Sequence, residues 1–154
     1  AGLILPKSMF QPRLKNAPVT FDTVKRLAGL FRTSQTATAI RLVELSPFPC
    51  CLAAVTSTGI AWSCFSSEVP KDKVKLRSQP GRNTYVFELL RSSAEFVGAD
   101  EVSCREWIEN VPSYQYRVHE HSVKVLPDLA LSLLWWKDDA YVIDLEEAEN
   151  DEGD

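Results

Sequence analysis

Long apolar runs, paired metal-binding spacings and glycine-rich phosphate loops are all missing from this 154-residue chain. No apolar run approaches the roughly 18 residues of a membrane helix, so no membrane partner is expected. No signal peptide is visible either. Histidine is scarce, with two residues, and neither an HxxxH nor a CxxC pair supplies a local half-site for zinc. No nucleophile-elbow signature points to Ser-His-Asp chemistry. The cysteines (Cys50, Cys51, Cys64 and Cys104) stand in a chain without a secretory mark. Reduced thiols, and the cytoplasm as compartment, fit that better than a disulfide framework.

What is present is the composition of a soluble globular protein, 45% apolar and 25% charged. The net charge of −4 is unevenly spread. Residues 1–46 carry a balance of +5, residues 47–143 a balance of −2, and residues 144–154 seven acids with no base. Any nucleic-acid contact therefore falls to the first third.

Residues 20–45, TFDTVKRLAGLFRTSQTATAIRLVEL, read as two short helices joined by a tight turn. Val24, Leu27, Ala28 and Phe31 follow helical spacing, as do Ala39, Leu42, Val43 and Ser46. Thr20 and Ser34 are the expected N-caps, Asp22 suits the positive end of the first helix, and Ala28 is small where the second helix must pass. The pattern is that of a helix-turn-helix-like unit. Before it, AGLIL reads as the last turns of a buried helix stopped by Pro6, so further chain is expected upstream. Residues 7–18 form a connector.

After Pro47 and Pro49 the period changes. CLAAVTS and IAWSCFS form a hairpin candidate, with Cys50 and Cys51 pointing to opposite faces. TYVFELL fits a strand or a short helix, and GADEVSCREWIEN a helical turn or an irregular connection. YQYRVHEHSVKVL, LALSLLWW and AYVIDLE read as strands, the last two joined by a turn at Lys137-Asp138-Asp139. Trp135 and Trp136 should face opposite ways, one into the core. The fold class expected is α+β: a short helical segment, then an antiparallel sheet covered on one face, with few short helices. EEAENDEGD reads as a solvated, disordered tail.

AGLILPKSMF, the two-helix unit ending AIRLVELSP, and EHSVKVLPDLALSLLWW together resemble the C-terminal portion of IrrE/ImmA-type zinc metallopeptidases. In that family an HExxH helix and a helix supplying a Glu ligand precede an FAAxLLxP segment, which AGLILPKSMF resembles from its third position. A helix-turn-helix-like unit follows, and IrrE-type members add a GAF-like sensor domain. The resemblance implies residues 1–18 as remnant and connector, 19–46 as the helical unit, 47–146 as the GAF-like domain and 147–154 as the tail. HExxH is absent here, so no catalytic or metal residue carries over, and any zinc belongs to the parent peptidase.

Two further constellations bear on function. His119 and His121, in HEH, share one face of a strand; a metal would need two more ligands, such as Cys64 or Cys104, and solvent-facing histidines are expected instead. Arg32, Gln35, Thr36, Thr38 and Arg41 are residue types able to reach bases or phosphates from the second helix. Arg32, however, stands where such units usually carry glycine. The expected function is thus a non-catalytic regulatory and sensory part of a peptidase whose substrate is a repressor protein. The alternative is a helix-turn-helix DNA-binding regulator with a sensing domain. No ligand-pocket residue is identifiable.

Overall fold

The computed structural model describes residues 7, 11–14 and 16–152. The apolar half-helix expected at residues 1–6 lies outside the described residues. Helices α1 (Phe21–Phe31) and α2 (Gln35–Leu45) lead into strands β1 (Cys50–Thr56) and β2 (Gly59–Phe65). Helix α3 (Tyr85–Arg91), strands β3 (Ala99–Ser103), β4 (Arg117–Leu126) and β5 (Leu129–Trp135), and helix α4 (Ala140–Glu152) complete the order. The strands form one antiparallel sheet in the order β2-β1-β5-β4-β3. The fold is α+β.

Two hairpins meet at the centre of this sheet, where β1 pairs with β5. Their turns are tied together, because Ser57 donates through its N–H (2.9 Å) and its hydroxyl (3.2 Å) to the Asp128 carboxylate. Gly59 starts β2 at φ +127°, and a Cβ there would lie 2.4 Å from the Ser78 carbonyl oxygen. That residue has to be glycine.

Both faces of the sheet are covered, not one as the alternation suggested. On one face α1 and α2 bury Phe21, Val24, Leu27, Leu42 and Val43 against Cys50, Leu52, Ala54, Leu131 and Leu133. On the other, Val86, Leu89, Trp107, Trp136 and Tyr141 pack on Cys51, Ala53, Val118 and Leu134. Strand β1 shows why: every residue from Cys50 to Val55 is buried, so neither of its side-chain sets is polar enough to face water. Cys50 and Cys51 do divide between the two faces. Trp136 is core, while Trp135 is half-buried beside Phe48 and Lys137.

Local chemistry decides the ambiguous segments. The Thr84 hydroxyl accepts from Phe87 N–H and makes TYVFELL a helix, with Val86 and Leu89 inward. GADEVSC supplies the edge strand β3 and then a 3-10 turn at Cys104–Glu106. The strand expected at residues 140–146 is instead the start of α4, and residues 137–139 turn into that helix rather than into a hairpin. The Asp138 carboxylate accepts from Ala140 N–H, and Tyr141, Val142 and Leu145 face inward at helical spacing while Ile143 is exposed. The acidic run expected as a disordered tail continues that helix to Glu152.

Ser34 caps α2 by accepting from Ala37 N–H at 3.1 Å, whereas Thr20 occupies the N-cap position of α1 without a side-chain cap. Because α1 shares its core with the sheet, the two should unfold together. Leu27→Ala is expected to cost about 2–5 kcal/mol. All four tryptophans lie at or beyond residue 62. Their fluorescence should therefore report a lowered denaturation midpoint for a change made in α1; an unchanged tryptophan transition would mean that the helices fold separately.

Candidate functional site

Strand β4 carries polar side chains to both faces of the sheet. Val118, Glu120 and Ser122 alternate onto the α3 side, and His119 and His121 onto the α1 side. Glu120 has no solvent exposure. Its carboxylate accepts from the N–H groups of Tyr85 (3.0 Å) and Val86 (2.8 Å), the Trp107 indole N–H (3.3 Å) and the Ser122 hydroxyl (2.6 Å). The Ser122 hydroxyl also lies 2.6 Å from that of Ser132, its partner on β5. Burial pushes the carboxyl above its ordinary 4.5, and the four donors pull it back. The result is a closed polar knot under α3.

The histidines are buried, not solvent-facing, because Phe21 of α1 covers His121 and Trp135 packs against His119. His121 accepts the Phe21 N–H on Nδ1 at 3.1 Å and lies between the rings of Phe21 and Phe96, with centroids 5.3 and 5.2 Å away. His119 meets the edge of Trp135, and its buried Nδ1 has no hydrogen-bond partner among the described residues. Burial lowers both from their ordinary 6.5; nearby Lys137 adds to this at His119, while Asp22 opposes it at His121. Among the described residues no group of three or more His, Cys, Asp or Glu side chains gathers as metal ligands would.

Between α3 and the β1–β2 turn lies a cleft of about 220 Å³. Val86, Phe87, Leu90 and Arg91 of α3 form one wall, Val55, Thr56, Ser57 and Gly59 the opposite one, and Gln79 and Pro80 a third side. The Arg91 guanidinium lies over the Phe87 ring, 4.2 Å from its centroid.

Of the five residues expected to meet DNA, one lies in the core. Thr38 is fully buried, its hydroxyl donating to the Ser34 carbonyl at 2.8 Å. Arg41 is paired with Glu44 at 3.1 Å. Arg32 is exposed at the C-cap of α1, in left-handed backbone at φ 53°. Gln35 is exposed and Thr36 half-exposed. Thr38 is inward because α2 turns that side, with Ala39 and Leu42, into the core.

Glu120, Ser122 and Ser132 were not singled out from the sequence. The available signal was their phase: each falls on the same side of its strand as core residues, so each had to find a buried partner. Among the described residues no helix is long and apolar enough to cross a membrane. No protein-family model matches the chain, and no curated protein matches it.

Replacing Glu120 with Gln turns an NH₂ group toward donors that need an acceptor. A loss of about 2–3 kcal/mol is expected in chemical denaturation, and an unchanged midpoint would mean that the knot does not hold α3. Among the thiols, burial raises Cys50 to about 11 and Cys104 to about 12, and Cys51 well above the ordinary 9.0. Cys64 is raised as well, but it alone is half-exposed. Brief iodoacetamide treatment of the folded protein should label Cys64 first by mass spectrometry; earlier labelling at Cys50, Cys51 or Cys104 would contradict this.

Proposed function

We propose that the chain is a non-catalytic regulatory and sensory module. In this reading the sheet with α3 senses a small molecule and the two-helix unit passes that state to an adjoining domain. The sequence resemblance to IrrE/ImmA-type proteins would make the adjoining domain a zinc peptidase, with the zinc held there and a repressor protein as its substrate. The sheet domain would be the GAF-like sensor, and the cytoplasm its compartment.

One continuity through the sheet carries the reading. Helix α3 lines the cleft with Phe87, Leu90 and Arg91, and its first N–H groups are fixed on Glu120. The next residue of β4, His121, reaches through the other face to the first N–H of α1. A ligand that moves α3 thus acts on a strand whose opposite side holds α1. Such coupling requires that the ligand bind two arrangements of α3 unequally. The alternative of a self-standing DNA-binding regulator has less support, since Thr38 is buried and Arg41 is engaged with Glu44.

Amide NMR against a panel of small metabolites sized for the cleft tests the sensory reading. A binding compound should shift the amides of Val55, Phe87 and Leu90 and, with the same concentration dependence, those of β4 and α1. Shifts confined to the cleft would remove the coupling, and no cleft shift from any compound would remove the sensor.

A further inference from the structure

Thr20 makes no side-chain cap at the start of α1, and the Phe21 N–H that opens the helix is taken by a side chain one hundred residues away. An imidazole can accept at Nδ1 only when that nitrogen carries no proton. His121 therefore holds α1 in its neutral form, with its proton on Nε2. Protonation at Nδ1 would remove the acceptor and would leave two donors facing each other. It would also set a positive charge against the positive end of the α1 dipole. Both effects push α1 from the sheet.

We propose that His121 is a pH-sensitive latch that fastens the start of α1 to the sheet when neutral and loosens it when protonated. The surroundings suit this. Among the described residues, the charged or titratable groups that act on His121 are Asp22 and Lys25 of α1 and His119 of its own strand. Its partners on the neighbouring strands, Ala99 and Leu133, carry no charge, and Phe96 adds only a ring. Asp22 favours the protonated form, whereas Lys25, His119 and burial oppose it. The latched pKa is therefore depressed below the 6.5 of a free imidazole. For a depressed group the stabilisation is complete above the free value and is lost as pH falls through the latched one. The latch operates whether or not the cleft takes a ligand.

Hydrogen exchange of the full chain, followed by NMR from about pH 7.5 to about pH 5, gives the test. Expressed as protection factors, the amides of Val24, Leu27 and Ala28 should lose protection on acidification, by up to about tenfold per pH unit. Protection at Leu52 and Leu133 in the sheet should fall much less. His121→Asn keeps an acceptor near the Nδ1 position but cannot be protonated, and should flatten the α1 profile. Asp22→Asn should move the wild-type midpoint to lower pH, and it decides the matter if His121→Asn does not fold. Unchanged α1 protection in the wild type overturns the latch. So does an acid step that survives His121→Asn, or one that Asp22→Asn leaves in place.

Discussion

A carboxylate with no exposure, in the middle of a sheet, obliges its surroundings to supply donors. Glu120 finds them in two amides of α3, the Trp107 indole and the Ser122 hydroxyl. An unpaired charge at that depth would cost far more than any one of these bonds returns, so α3, the 104–108 turn and β5 must arrive together. The knot sets the position of α3 against the sheet, and through α3 it sets one wall of the cleft. The apolar contacts around it, such as Val86, Leu89 and Trp136, add most of the burial but less of the register.

Alternation along β4 then links the two faces. Successive residues, Glu120 and His121, grip elements on opposite sides: α3 by its first amides, α1 by its first amide. A displacement of β4 that loosened one grip would bear on the other, because the strand is hydrogen-bonded on both edges. Sheet-mediated coupling of this kind needs no flexible linker. The basic helical segment is part of the same body as the sheet, with Leu27, Leu42 and Leu133 in one cluster.

Burial also reassigns chemistry. His119 and His121 have the spacing of ligands, yet their neighbours are aromatic rings and a backbone amide. Cys50, Cys51 and Cys104 act as small apolar side chains whose thiols stay protonated. Arg41, a natural choice for phosphate contact, lies beside Glu44 one helical turn away. For the histidines and Arg41 the type of residue was a poorer guide than its surroundings, whereas for these cysteines the two agree.

Local order was legible where it depends on near neighbours. Periodicity marked α1 and α2, the Ser34 cap, the β1–β2 hairpin and strands β4 and β5, because spacing and turn chemistry act over a few residues. The opposite facing of Cys50 and Cys51 followed from strand geometry alone. What tertiary structure decided are the long-range choices: AYVIDLE as a helix rather than a sixth strand, and a sheet covered on both faces. Burial of the histidines and of Thr38 belongs with these, as does the role of Glu120. Tyr141, Ile143 and Leu145 alternate as a strand would, while Tyr141, Val142 and Leu145 fall at helical spacing, and only the place the core offers for a helix decides between them. Glu120 and His121 are ordinary alternating strand residues until α3 and α1, from 34 to 100 positions away, present the amides that complete them.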